Sequence, residues 1–141
     1  CNAYLKTQIL PLLAHLFGFP MIDFAIEDLF LAKYSAAEGQ QRFLSQHRDD
    51  SELSFVITLN DPKTDFCGGG TRFVLQDKTL APDIPGTGVF FSGRHLHSGV
   101  EVTEGIRYIL AGFVRVYPST PEGVAKLECI VQDPQRRRRL E

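Results

Sequence analysis

His47 and Asp49 form a His-x-Asp pair, His97 is a second histidine far along the chain, and Arg107 follows it by ten residues. Two imidazoles and one carboxylate hold Fe(II) on one octahedral face and leave the opposite face open. A guanidinium is a planar fork that grips a carboxylate through two parallel hydrogen bonds. A 2-oxo acid needs such a grip at its far carboxylate. The four residues predict an iron centre that oxidises a substrate with O2 and a 2-oxo acid.

The elements around these residues must bring them together. Residues i and i+2 of a strand point to the same side. A strand through Leu44-Ser45-Gln46-His47-Arg48-Asp49 is expected to turn His47 and Asp49 to one metal and Arg48 away. His97 must arrive from a distant strand. Arg107 lies inside the apolar run Ile106–Phe113, where a charge is costly to bury without a partner. A bound dicarboxylate is the expected partner.

Along the chain, Tyr4, Leu5, Ile9, Leu12, Leu13, Leu16 and Phe17 fall at helical spacing. Pro11 should kink or divide this helix, and Gly18 and Pro20 should end it. Phe24-Ala25-Ile26 and Leu29 to Tyr34 read as two strands separated by Glu27-Asp28, and residues 36–41 as a polar flap. Further strand-like runs fall at about 43–49, 52–60, 70–76, 87–93, 95–101 and 106–117, with glycine and proline between them. Residues 121–132 are expected to form a short closing helix. One helix and about eight short strands predict a mainly β double-sheet sandwich, with the helix packed on one sheet. The jelly roll, or double-stranded β-helix, suits a metal in its mouth. Residues 1–135 are read as a single domain with its core at about 27–117. Residues 136–141 are read as a basic tail that includes a cloning remnant, Leu140-Glu141, and Cys1 as the start of a fragment.

The bulk numbers agree with one packed domain: 141 residues, 43% hydrophobic, 11 of them Phe. A net charge of −2 offers no electrostatic case for nucleic acid. No apolar run approaches the roughly 18 to 20 residues that span a bilayer. Cys1, Cys67 and Cys129 form no metal-binding spacing. Cys67 is expected to be a small buried or loop residue.

From Phe43 to Val116 the chain resembles the catalytic domain of the prolyl 4-hydroxylase and procollagen lysyl hydroxylase group of iron- and 2-oxoglutarate-dependent oxygenases. The matching text is His47-Arg48-Asp49, then residues 53–60 (LSFVITLN), then residues 66–73 (FCGGGTRF). It continues with residues 85–91 (PGTGVFF) and 95–99 (HLHSG) and ends with residues 102–108 (VTEGIRY). Order and gaps are most similar to the lysyl hydroxylase branch. The resemblance implies His47, Asp49 and His97 as ligands of Fe(II), and Arg107 as the holder of the distal carboxylate of 2-oxoglutarate. It adds Tyr34 and Thr71 as candidates for the co-substrate pocket and allows ascorbate as a reductant. Ser54 and Thr58, on one face of their strand, are further candidates for the cavity wall. The prolyl hydroxylase pattern keeps a tyrosine three residues before the first histidine, where this chain has Leu44. Halogenating relatives replace the carboxylate ligand with a small residue, so Asp49 favours hydroxylation. Nucleic-acid dealkylating relatives carry a further arginine six residues after the clamp arginine, where this chain has Phe113.

Plainer readings stand beside these. His95 could share a face with His97, and is read as a rim residue or a supporting one. His15 is read as an ordinary helical histidine, Asp50 as a solvated carboxylate, and Arg48 as either a substrate contact or an exposed rim charge. Gly68 to Gly70 lack the Lys-Ser/Thr and helix of a phosphate loop and read as a turn entering a strand. Glu122 and Glu128 have no evident partner. The expected activity is hydroxylation of an unactivated C–H bond in a lysyl or prolyl residue of a peptide or protein. The alternatives are an oxygenase acting on a small molecule or nucleobase, and a jelly-roll module that binds without turnover.

Overall fold

The computed structural model describes residues 2–132; the basic run and Leu140-Glu141 lie outside the described residues. The chain opens with a helical segment of three parts: Asn2–Tyr4 (α1), a π-helical turn Leu5–Ile9, and Leu10–Phe17 (α2). The expected disturbance at Pro11 is this π turn. Proline has no N–H and its ring crowds the carbonyl four residues back. The wider turn just before it sends the Leu10 N–H to the Leu5 carbonyl, five residues away. Gly18 caps α2 in the left-handed conformation at φ 72°.

Nine strands follow: Phe24–Ser35 (β1), Leu44–His47 (β2), Leu53–Thr58 (β3), Phe66–Gly68 (β4), Thr71–Phe73 (β5), Lys78–Leu80 (β6), Gly88–Ser92 (β7), His97–Gly99 (β8) and Val102–Val116 (β9). Pro121–Val131 (α3) closes the described chain, and the Thr120 side chain caps it by accepting from the Gly123 N–H at 3.1 Å. The larger sheet runs β1-β9-β3-β7, with β4 also paired to β9; the smaller runs β2-β8-β5-β6. The pairings are antiparallel. Two antiparallel sheets facing each other make the jelly roll.

Three expectations about strands need correction. The two strands expected before residue 35 are one, because a bulge between Ile26 and Asp28 absorbs the extra residue. The Asp28 carboxylate accepts the Leu29 N–H there. The 70–76 run stops at Phe73. A turn with Asp77 at φ 49° then returns the chain as β6, an unforeseen strand. Aspartate tolerates that conformation, and its carboxylate pairs with Arg72 across the turn. The last strand begins at Val102, ahead of the expected 106, because β4 pairs with residues 102–105.

Alternation along β3 separates two environments. Leu53, Phe55 and Ile57 belong to the cluster that also holds Ile9 and Leu13 of the N-terminal segment, and Phe24, Val114 and Val116. The helix therefore packs on the larger sheet, as expected. Gly112 makes room in that layer, since a Cβ there would lie 2.2 Å from the Phe55 ring. The alternate residues Ser54 and Val56 face the space between the sheets, with Phe73, Val89 and Phe91 packed beside Val56. Among the described residues no helix is long and apolar enough to cross a membrane.

Candidate metal centre and co-substrate pocket

His47 ends β2 and His97 begins β8, and the two residues are direct partners across that strand pair. Asp49 joins them from a different kind of position. The expected strand through residue 49 stops at His47, so the i, i+2 argument does not explain the convergence. Here the chain leaves the smaller sheet for β3 in the larger one, and a loop carries the carboxylate. The loop is pinned where the Asp49 N–H donates to the Gly93 carbonyl at 2.7 Å.

The result is compact. His47 Nε2 lies 3.4 Å from Asp49 Oδ1, and His97 Nε2 lies 3.5 Å from Asp49 Oδ2. Three ligand atoms fall within 4.8 Å of one another, a set that can hold a metal ion. The histidines are oriented by one device used twice. His47 Nδ1 is 2.8 Å from the Ser45 carbonyl, and His97 Nδ1 is 2.8 Å from the His95 carbonyl. A carbonyl only accepts, so each Nδ1 carries the proton and each Nε2 presents its lone pair. Burial holds the His97 imidazole below its ordinary pKa, against the opposing pull of the His95 carbonyl and of Asp49. A neutral imidazole is the ligating form. Two imidazole nitrogens and one carboxylate, with Asp49 and His97 buried and His47 part exposed, fit an open-faced Fe(II) centre.

Arg107 sits on β9 at 3% exposure, directly across the strand pair from Tyr34. Burial lowers the guanidinium pKa and raises that of the Tyr34 phenol, while their mutual interaction moves each the other way. Gly69, at φ 76°, lies against the arginine stem; a Cβ there would come within 2.9 Å of Arg107 Cδ. Arg107, Tyr34 and Thr71 share one cavity with His47, Asp49 and His97. Phe30, Leu44 and Phe113 supply apolar wall to the same cavity, and Phe30 meets Phe113 edge to face at 5.4 Å.

The other sequence readings fall as follows. Ser54 is on the cavity wall, and its hydroxyl donates to Asp49 Oδ2 at 2.5 Å. Thr58, on the same strand face, is buried but does not line the cavity. It lies at the end of β3, where its N–H donates to the Thr87 carbonyl. The His95 ring stands outside the metal-ligand set, although its carbonyl orients His97. His15 is exposed on α2, and Arg48 is exposed beside the metal-ligand set. Asp50 is exposed and pairs with Arg94 and Arg115. Cys67 is not buried as one reading expected. Its strand β4 lies at the sheet margin, and its thiol is exposed, 3.7 Å from a Glu104 carboxylate oxygen. Gly68 to Gly70 take positive φ angles; Gly68 ends β4, a strand that was not expected, and Gly69-Gly70 make the expected turn into β5. Sequence reasoning missed Gly93 and the Ser54–Asp49 bond; both depend on a loop path that residue types do not encode.

A family model for the 2OG-Fe(II) oxygenase superfamily matches residues 29–115. The multifunctional procollagen lysine hydroxylase and glycosyltransferase of Caenorhabditis elegans is 38% identical over 88 residues, covering 61% of this chain and 12% of the worm protein. Procollagen-lysine,2-oxoglutarate 5-dioxygenase 2 of Homo sapiens is 34% identical over 99 residues, covering 69% of this chain and 12% of the human protein. The matched segment thus spans about an eighth of the length of each of these relatives. Among solved structures, a 2OG-Fe(II) oxygenase family oxidoreductase from Burkholderia pseudomallei superposes with a TM-score of 0.66 at 22% identity. That superposition covers 83% of this chain and 55% of the bacterial one. The viral collagen prolyl hydroxylase of Paramecium Bursaria Chlorella virus-1, solved with 2OG, superposes with a TM-score of 0.61 at 21% identity, covering 79% and 70% of the two chains. These likenesses share the fold described above, and the family match spans both strands of the histidine pair and Arg107: the chain belongs to the 2OG-Fe(II) oxygenase superfamily.

Proposed function

We propose that this chain carries the catalytic domain of an Fe(II)- and 2-oxoglutarate-dependent dioxygenase that hydroxylates an unactivated C–H bond of a lysyl or prolyl residue in a peptide or protein. The observation that carries the proposal is the sharing of one cavity by the His47–Asp49–His97 set and the buried Arg107. Residues 1–135 are read as one oxygenase domain, with its jelly-roll core at about 27–117.

In this reading His47 and His97 give Nε2 lone pairs to Fe(II), and Asp49 gives a carboxylate oxygen. Arg107 holds the distal carboxylate of 2-oxoglutarate through its guanidinium, and Tyr34 and Thr71 line the same pocket. When bound, the iron with 2-oxoglutarate and O2 supplies oxidative decarboxylation coupled to hydroxylation. The protein contributes position: a ligand set on one side, an anchor on the other, and walls that exclude water. The aromatic wall at Phe30 and Phe113 suits the methylene groups of a substrate side chain.

The choice of substrate rests on relatives named as procollagen lysine hydroxylases. The test is succinate release with Fe(II), 2-oxoglutarate and ascorbate, measured on lysine- and proline-containing collagen-like peptides beside free amino acids. Turnover coupled to a peptide supports the proposal. Turnover coupled only to a free amino acid moves the enzyme to the small-molecule reading, and binding of metal and 2-oxoglutarate without turnover on either moves it to a binding module.

A further inference from the structure

We infer that Ser54 is a positioning residue for the metal centre, fixing the Asp49 carboxylate through a one-way chain of hydroxyl groups that begins at Ser51. The inference rests on the reading of Asp49 as a metal ligand. The three residues are buried, with Ser51 and Ser54 each at 1% exposure. Ser54 Oγ lies 2.5 Å from Asp49 Oδ2, and Ser51 Oγ lies 3.1 Å from Ser54 Oγ. An ionised carboxylate only accepts, so the Ser54 proton must point at Asp49. With that proton committed, Ser54 faces Ser51 with a lone pair, and Ser51 must be the donor of the second bond. Both proton directions follow from chemistry alone.

The consequence is a fixed orientation of the Asp49 carboxylate. Oδ2 is engaged by a short charge-assisted bond. Oδ1 lies 3.4 Å from His47 Nε2 and Oδ2 lies 3.5 Å from His97 Nε2, so the serine bond holds the carboxylate with both oxygens turned toward the two imidazoles. A carboxylate held by one oxygen cannot rotate freely, so the ligand is presented to the histidine pair in one orientation.

The surroundings indicate a built feature. The backbone on one side is fixed by the Asp49 N–H bond to the Gly93 carbonyl. Gly93 leaves just enough space for the serine chain: a Cβ there would lie 2.7 Å from the Ser51 carbonyl oxygen, 2.8 Å from Ser54 Oγ and 3.0 Å from Asp49 Cβ. Ser54 is also on β3 of the larger sheet, whereas the histidines belong to the smaller one. The bond therefore ties the loop-borne ligand to the opposite sheet.

The test is anaerobic titration of Mn(II), and of Co(II) followed by its visible spectrum, into the parent, Ser54→Ala, Ser54→Thr and Thr58→Ala forms. Outer partners of metal ligands typically change metal affinity by about 10- to 100-fold. Ser54→Ala is expected to raise the Mn(II) Kd by about 10-fold or more and to alter the Co(II) spectrum. Ser54→Thr keeps the hydroxyl and should stay within about 3-fold of the parent, which a purely packing role would not predict. Thr58→Ala, which removes a buried hydroxyl from the same strand face away from the ligands, should leave both readouts unchanged. Should Ser54→Ala fail to fold, Ser51→Ala tests the same chain at its first donor, with a smaller rise in Kd expected. Parent-like Mn(II) affinity and Co(II) spectrum in a folded Ser54→Ala protein would overturn the inference. Failure of the parent itself to bind either metal would instead remove the metal reading beneath it.

Discussion

His47 and His97 face each other across the β2–β8 pair with ring centroids 4.3 Å apart, and each bonds its Nδ1 to the carbonyl two residues before it. The symmetry of the two bonds has a direct consequence. Both rings turn the same nitrogen, Nε2, toward the Asp49 carboxylate, and neither can turn away without breaking its hydrogen bond to a main-chain carbonyl. A pair of core histidines has no need of matched tautomers, whereas a metal does.

Alanine at His47, Asp49 or His97 removes one of three ligand atoms in the proposed centre. Each variant is expected to lose Fe(II) binding and 2-oxoglutarate turnover. His95→Ala should retain both, because only the main-chain carbonyl of His95 supports His97. Calorimetric metal titration of the four variants decides the assignment. Metal lost from His95→Ala and retained by His97→Ala would reverse it.

Arg107→Ala should bind Fe(II) like the parent and bind 2-oxoglutarate poorly. Truncating one partner of a desolvated charge pair costs about 2 to 5 kcal/mol, so the apparent KM for 2-oxoglutarate should rise by about 30-fold or more. Arg107→Lys should recover part of the loss through charge without the bidentate fork. An unchanged KM in the alanine form, titrated at saturating iron, would remove the clamp.

Much of the candidate site was legible because the chemistry it would need is written in residue types. Two histidines, an aspartate and an arginine inside an apolar run are informative wherever the chain places them. Burial of Arg107 followed from its apolar neighbours, and the turn at Gly68 to Gly70 from its glycines. What was not legible depends on the path of the backbone. Asp49 leaves the strand that was expected to carry it. Ser54 and Thr58 look equivalent by alternation, yet only one reaches the cavity, because the cavity ends before β3 does. The break at Glu27-Asp28 marks the place of the bulge after Ile26 but not that the strand continues through it, and no periodicity marks the hairpin into β6.

Gly93→Ala is expected to disturb the centre without touching a ligand. The added methyl would press on Ser51, Ser54 and Asp49 together. Overpacking of this kind costs about 1 to 3 kcal/mol. Denaturant unfolding should show that loss, and metal titration should show weaker binding in the same variant. A form as stable and as tight as the parent would mean that the loop has slack here.

Leu13→Ala tests whether the N-terminal segment is part of the domain. Leu13 is fully buried in the layer on the larger sheet. Removing its side chain should cost about 2 to 5 kcal/mol in chemical denaturation, in one cooperative transition. A loss below about 0.5 kcal/mol, the range usual for surface changes, would show that the helix is an appendage.

The most direct test of the central claim is the visible metal-to-ligand charge-transfer band of Fe(II) chelated by a 2-oxo acid, recorded without O2. The parent protein should develop the band when Fe(II) and 2-oxoglutarate are both present. His97→Ala should develop none, and Arg107→Ala should develop it only at raised 2-oxoglutarate. No band in the folded parent, or an equal band in all three proteins, would contradict the account.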